Sequence, residues 1–406
     1  MTRICLFVNK DVANDPRVSR HANALGRHGF EVLVVCVKSV GSSTYERRDA
    51  YIIRRCEQSR FVSKLIVLTD APKRKRCMGP AFRVNPVARV LDLLTGFLTY
   101  ILYHLDMEFH FAKIGREFKA DIYTSNDLDT LLAGVLCTYP SRKLVYDAHE
   151  LWADMNVGMG YSSLLIAFFR IIERILIKKT DSVITVNEFL AEELRKQYRL
   201  SVTPYVILNL PHTNFVEFRK HQPHGRKTAL YQGGFIANRG LENVIRACEF
   251  LNDDVQLVLR GFGAIEDELR RIAKPFRNCR FDPPLPLDEL VSAASAADVG
   301  IVTYLPINLN NYLASPNKLF EYIQAGIPIV ASNLPFIQKI VKENDLGILF
   351  DPSKPKEIAL AINQATEEER LRTLKANVMK VRHLYSWERE QRKLIAIYEQ
   401  YSSISK

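Results

Sequence analysis

Short runs of β-branched and aliphatic residues recur along the chain, each separated from the next by a longer stretch with helical spacing. In the first half these runs are Ile4–Val8, Glu31–Val37, Tyr51–Arg54, Asp121–Thr124, Leu144–Asp147 and Val183–Val186. In the second half they are Ala229–Gln232, Gln256–Arg260, Gly300–Thr303, Ile329–Ala331 and Ile348–Phe350. Apolar strands that alternate with helices predict βαβ units and parallel sheets covered by helices on both faces. The pattern occurs twice. Between its two occurrences lies Thr203–Gly225, polar and turn-rich, with Pro204, Pro211, Pro223 and Gly225. A linker there predicts two doubly wound α/β domains, residues 1–205 and 206–384. The end of the chain, 385–406, reads as a helix with apolar positions at Trp387, Leu394, Ile395, Ile397 and Tyr398.

Composition narrows the class. A chain of 406 residues needs two or three domains. With 47% hydrophobic and 25% charged residues it is globular, which excludes a disordered chain, a collagen and a coiled coil. No apolar run reaches the roughly 20 residues of a membrane span. The opening MTRICLFVNK has too short an apolar run for a signal peptide and reads as a buried strand. Seven cysteines are scattered without a C-x-x-C pair, as expected of free thiols in a reducing, cytoplasmic compartment. The net charge is +11, and its placement matters more than its size. Between Arg47 and Arg89, twelve Lys or Arg face three acids, a net of +9. Such a patch suits either a solvated loop or an anionic partner.

In parallel sheets, ligands bind beyond the carboxyl ends of the strands, so those loops hold the candidate chemistry. After the first strand, Asp15 is placed to cap a helix that has Pro16 at its first position. No G-x-G-x-x-G appears there, which argues against a NAD-type domain. The fifth strand ends in Tyr146-Asp147-Ala148-His149-Glu150, where His149 between carboxylates is placed to donate to a ligand or shuttle a proton. In the second half, Gly233 and Gly234 let the backbone approach a ligand, and Arg239 is placed to pair with a diphosphate. Gly261 and Gly263 form a second glycine turn after the next strand. The most informative stretch is Ala314-Ser315-Pro316-Asn317-Lys318-Leu319-Phe320-Glu321-Tyr322. Ser315 reads as an N-cap with Pro316 in the first turn, which leaves the amides of Asn317 and Lys318 free for a phosphate. Glu321, one turn on, is placed to accept hydrogen bonds from a vicinal diol.

Taken in order, these motifs, with Asp15-Pro16-Arg17-Val18, Gly326-Ile327-Pro328 and Tyr385-Ser386-Trp387-Glu388, resemble the retaining glycosyltransferases of GT-B fold in glycosyltransferase family 4. The resemblance spans essentially the whole chain. It implies two Rossmann-like domains facing a cleft, a nucleotide-diphosphate sugar donor held mainly by the second domain, and no metal or other cofactor. It also implies a final helix that returns to the first domain. By position, Arg239 looks like the basic residue that meets the diphosphate, and Lys318 adds charge. Glu321 resembles the ribose-binding second glutamate of the family's E-x7-E motif, and His149 the first-domain group facing the donor sugar. The same resemblance assigns Gly233, Gly234, Gly261, Gly263, Ser315, Asn317 and Leu319 to the donor site. Two positions depart from the pattern. Leu313 stands where the motif has its first glutamate, and Gly234 where many members carry a basic residue. The implied acceptor is a glycan or lipid-linked precursor and not a nucleic acid. Lys73-Arg74-Lys75-Arg76, followed by the apolar segment Val90–Leu105, predicts peripheral contact with an anionic membrane, the alternative being burial of that segment. A nucleotide-sugar epimerase and a non-catalytic binding protein on the same scaffold are the rival readings.

Overall fold

A computed structural model describes residues 1–59, 62, 86–138, 142–155, 163–213 and 225–402. Its strands form two sheets. The first holds β1 (Arg3–Val8), β2 (Glu31–Val37), β3 (Tyr45–Arg47), β4 (Ile52–Cys56), β5 (Ile122–Asn126), β6 (Lys143–Ala148), β7 (Ser182–Thr185) and β8 (Tyr205–Val206), in the order β3-β4-β2-β1-β5-β6-β7-β8. Only β3 runs antiparallel to its neighbour. The second holds β9 (Lys227–Gln232), β10 (Val255–Arg260), β11 (Cys279–Asp282), β12 (Val299–Val302), β13 (Ile329–Ser332) and β14 (Gly347–Phe350), all parallel, in the order β11-β10-β9-β12-β13-β14. Both sheets switch direction beside their first strand: β1 lies between β2 and β5, and β9 between β10 and β12. A ligand crevice opens at such switch points.

The strands missing from the sequence reading are β3, β8 and β11. Each is at or next to a sheet edge and partly exposed, so none carries an apolar run. All the described central strands are buried on both faces. One face of the first sheet packs beneath α1 (Pro16–Arg27), the other beneath the 33-residue α2 (Pro86–Phe118) and α3 (Ser163–Leu176). Val90–Leu105 belongs to α2. Farther along that helix, Met107, Phe111 and Ala112 are buried against the sheet, and Phe7 stacks on Phe111 and Tyr123 at 6.3 and 6.0 Å. Lys73–Arg76 lies outside the described residues. No described helix is long and apolar enough to cross a membrane.

Two further helices position the cleft. In the second domain α4 (Asn317–Ala325) is fixed beside β9 by Tyr322, whose hydroxyl accepts from the Gln232 amide at 2.9 Å and donates to the Leu230 carbonyl at 3.1 Å. The last helix, α5 (Trp387–Ser402), packs on the first sheet. There Trp387, Leu394, Ile397 and Tyr398 join Ile4, Leu6, Val145 and Ile184, and Trp387 stacks on His21 at 5.4 Å. The described cysteines are all free thiols.

Candidate active site

The first-domain wall is a buried network of carboxylates and cations. Asp127 follows β5 with φ 63° and ψ 170°, a region that costs a side-chain-bearing residue about 1–3 kcal/mol. Its amide donates to the Asp147 carbonyl at 3.0 Å, and its Oδ1 accepts from the His149 amide at 3.0 Å. The His149 ring lies between two acids, with Nδ1 3.3 Å from Asp127 Oδ2 and Nε2 3.3 Å from Asp147 Oδ2. Burial alone would deprotonate this ring. Asp127 and Asp147 outweigh burial and raise its pKa to about 10. His149 is therefore a fixed cation near neutrality. Both ring nitrogens face carboxylates, which favours the charged ring over the neutral form that a proton shuttle passes through.

Asp147 is fully buried, yet Arg17 and His149 hold its carboxyl well below the usual range. Arg17 donates to it twice, at 2.7 and 3.0 Å, and also to the Ile207 carbonyl at 2.8 Å. His21 sits 3.4 Å from Asp147, and burial with the neighbouring Arg17 keeps it neutral. Asp15 caps α1 through the Arg17 and Val18 amides and pairs with Lys10 at 2.9 Å.

On the opposite wall, the loop after β9 turns at Gly233 with φ 139°, against the start of α4. A Cβ added there would lie 3.5 Å from both Cε and Nζ of Lys318. Lys318 Nζ sits over the Tyr231 ring at 4.8 Å and the Tyr304 ring at 5.5 Å. The Arg239 guanidinium lies 3.9 Å over the same Tyr304. Burial and Arg239 lower the Lys318 pKa to about 8, although Glu321 draws it upward. Glu321 is itself raised by burial, with Lys318 opposing. Two cations, a helix N-terminus and one carboxylate thus meet at the carboxyl end of β9 and β12. That arrangement accommodates an anion with a hydroxyl-bearing group attached.

Several expected donor-site residues take other places. The α4 helix starts at Asn317 with Pro316 in the cap position and no side-chain capping bond, so Ser315 is not its cap. Ser315 nevertheless lines the cleft cavity, and its hydroxyl is buried without a hydrogen-bond partner among the described residues. Leu319 is fully buried in the second-domain core and its amide donates to the Pro316 carbonyl, so its side chain does not line the site. Gly261 and Gly263 support the first glycine loop from behind. A Cβ on Gly261 would stand 1.9 Å from the Gly233 carbonyl oxygen, and one on Gly263 2.2 Å from that of Phe235. Leu313, at the motif's missing glutamate, is buried in the first-domain core with Leu151 and Leu190, and its carbonyl accepts from Asn187 at 2.8 Å.

The walls meet in a cavity of about 200 Å³, lined by Lys10, Asp15, Arg17, His149 and Glu150 from one domain and Arg239, Tyr304, Asn310 and Asn317 from the other. Asn310 joins the domains: its amide nitrogen donates to Glu150, and its oxygen accepts from the Leu151 amide at 2.8 Å. Arg20 donates to Asn209, which donates to Asn317 at 2.8 Å. Among the described residues no group of three or more His, Cys, Asp or Glu is placed to hold a metal ion. The sequence reading missed Asp127, Arg20, Tyr304 and Asn310. Asp127 and Tyr304 carried a usable signal, since each follows a strand's carboxyl end; Arg20 and Asn310 carried none.

Known proteins bear on this geometry. The family profile described as Glycosyltransferase Family 4 matches residues 17–209, and that described as Glycosyl transferases group 1 matches residues 214–379. An uncharacterized glycosyltransferase of Methanocaldococcus jannaschii is 23% identical over 371 residues, 83% of this chain and 89% of that protein. A D-inositol 3-phosphate glycosyltransferase of Corynebacterium urealyticum is 30% identical over 128 residues, covering 30% of this chain and 28% of its own length. Among solved structures, sucrose-phosphate synthase from Thermosynechococcus elongatus superposes with a TM-score of 0.68 at 17% identity, over 100% of both chains. Anabaena HepE in complex with UDP-glucose gives 0.66 at 13% identity, over 98% of this chain and 100% of its own. With two family profiles matched in succession on two facing Rossmann-like domains, the chain belongs to the group 1, family 4 glycosyltransferases of GT-B fold.

Proposed function

We propose that the protein transfers a sugar from a nucleotide-diphosphate donor to an acceptor hydroxyl with retention of anomeric configuration, without a metal. The observation that carries this reading is the convergence of Arg239 and Lys318 on Tyr304, 3.9 and 5.5 Å from its ring, at the N-terminus of α4. Breaking the bond from the anomeric carbon to the diphosphate leaves charge on a phosphate oxygen. Two cations and the free amides of α4 are preorganised to receive it, which is how such sites lower a barrier. Glu321 accepts from the ribose hydroxyls, and Gly233 and Gly234 give the diphosphate close access to the backbone. His149, held as a cation, faces the sugar and stabilises the departing charge without exchanging its proton. The acceptor oxygen bonds to the anomeric carbon on the face the diphosphate leaves, and its proton passes to the departing phosphate oxygen. With Leu313 buried, the cavity offers the sugar hydroxyls Glu150 and Asn311, both of which line it, in place of a motif glutamate. The UDP-glucose in Anabaena HepE makes uridine diphosphate the first nucleotide to test. In calorimetry, Arg239→Ala should weaken nucleoside diphosphate binding by about 1.5–3 kcal/mol and leave nucleoside binding nearly unchanged. Equal losses for diphosphate and nucleoside would remove the assignment.

A further inference from the structure

A second cavity, of about 190 Å³, lies between α2 and α3, away from the donor site. Tyr100, Ile101, Leu132, Phe169 and Ile172 form most of its wall. Apolar cavities of about 150 Å³ stay dry and take up small hydrocarbons, so this one is large enough for part of a hydrocarbon chain. Its polar groups gather at the inner end and are mostly discharged near neutrality. Burial lowers His104 to about 4 and raises Glu108 to about 8, and burial with Asp127 brings Asp129 to about 7.

The mouth of the cavity is unusual for a soluble surface. Leu105 and Phe168 line it and are also exposed. From there α3 carries an outer stripe of Leu164, Phe168, Ile171 and Ile175, with Leu164 84% exposed, while Leu165, Ile166 and Phe169 on its inner side are buried. A helix that faces one core has one apolar face; α3 has two. Its outer stripe is bordered by the exposed cations Arg170 and Arg174, with Lys178 and Lys179 in the turn that follows. The helix's one acid, Glu173, is buried and accepts from Tyr146 and Tyr198 at 2.8 and 2.7 Å. Arg170 is paired with Asp154 at 2.6 Å, which leaves Arg174, Lys178 and Lys179 as the exposed charge beside the stripe, and an apolar stripe with cations at its end fits the headgroup region of an anionic bilayer.

The cavity and the cleft share no lining residue, and one hydrogen bond links their walls. Leu128 and Asp129 line the cavity, and Asp129 accepts from Asn9 at 2.9 Å, next to Lys10 on the cleft wall. Asp127, which holds His149, is two residues away.

We propose that the acceptor is an amphiphile drawn from an anionic membrane surface, with its hydrocarbon chain in the cavity between α2 and α3 and its hydroxyl-bearing head at the cleft beside Asp127. This rests on the transferase reading above and names the acceptor class for that site.

The test uses the 406-residue chain and two variants of it. Ile172→Trp fills the cavity, and the pair Ile171→Asp with Ile175→Asp charges the exposed stripe without touching the core. Wild-type protein should sediment with phosphatidylglycerol-containing vesicles at low salt and not with pure phosphatidylcholine. It should also bind the fluorescent fatty acid cis-parinaric acid, and displacement by geranylgeranyl phosphate would separate a prenyl from an acyl preference. Ile172→Trp should weaken parinaric acid binding at least about tenfold, since the added ring occupies the volume the chain would take. The double Asp variant should lose vesicle binding by about tenfold or more. Both should keep the wild-type melting shift with nucleoside diphosphate. If wild-type protein responds to the nucleotide but binds neither vesicles nor parinaric acid, the amphiphile proposal fails and the transferase reading stands. Self-association that the Asp variant abolishes, without vesicle binding, gives the face to a second copy and also overturns it. Loss of the nucleotide response in wild type would count against the transferase reading itself.

Discussion

Replacing Lys318 by Met should raise the stability of the free protein while weakening its hold on a diphosphate. Burial and the neighbouring Arg239 bring the Lys318 pKa from 10.5 to about 8. At about 1.4 kcal/mol per pH unit, the folded chain carries about 3 kcal/mol against keeping this ammonium charged. Methionine fills similar space and has no charge. At pH 7 the lysine is protonated both folded and unfolded, so the whole cost is present, and Lys318→Met should stabilise the unliganded protein by up to about 3 kcal/mol. The gain should shrink as the pH rises from about 8 toward 10.5, where the wild-type lysine sheds its proton in the folded state first. Binding has the opposite sign. Losing a charge-assisted bond to phosphate costs about 1.5–3 kcal/mol, or roughly a 10- to 150-fold rise in Kd. Wild-type affinity should also fall above pH 8, because the lysine must then take up a proton to bind, whereas the variant should lack that decline. Thermal unfolding across pH, together with calorimetric titration of a nucleoside diphosphate, reads both effects. A Met variant that is less stable when unliganded and binds with wild-type affinity would refute the reasoning.

Arg17→Met leaves the fully buried Asp147 without its main partner and should cost about 3–5 kcal/mol in denaturant unfolding. His149→Ala should reduce turnover far more than nucleotide affinity. Because Asp127 and Asp147 hold the His149 pKa at about 10, the wild-type pH–rate profile should show no histidine inflection from it between pH 5 and 8. Leu313→Glu should not raise turnover: it places a carboxylate in the first-domain core and should destabilise the chain by about 3 kcal/mol or more, read as a lower melting temperature.

The fold was legible because its central strands are buried on both faces, so they appear as apolar runs such as Val32–Val37 or Leu257–Leu259. The edge strands Tyr45–Arg47 and Cys279–Asp282 lacked that signature because solvent covers part of them. Asp15 capping α1 followed from local chemistry alone, since an Asp before Pro at a helix start needs only its own next residues. Ser315 looked equivalent and was not, because Pro316 itself occupies the cap position, and Ser315 lines the cleft cavity instead. Gly261 and Gly263 were visible as glycines, but their role depends on the carbonyls of Gly233 and Phe235, which a different strand–loop unit brings within 1.9–2.2 Å of where a side chain would begin. His149 was identified as a candidate, but its charge state was not legible. That state depends on Asp127, 22 residues earlier and in a strained backbone conformation that no residue type announces. Arg20 and Asn310 act across the cleft, through contacts that exist only once the two domains face each other.

The central claim is that the cleft holds a nucleotide diphosphate through fixed cations and a helix terminus. Its most direct test is the melting temperature of the 406-residue chain with nucleoside diphosphates, their sugars and the parent nucleosides, all in the presence of a chelator. At 100 times its Kd a ligand adds about 2.7 kcal/mol of stability. A diphosphate and its sugar should therefore give a clear upward shift, the nucleoside a much smaller one, and Arg239→Ala combined with Lys318→Met almost none. If no nucleoside diphosphate raises the melting temperature beyond its parent nucleoside, the site assigned here does not bind a diphosphate.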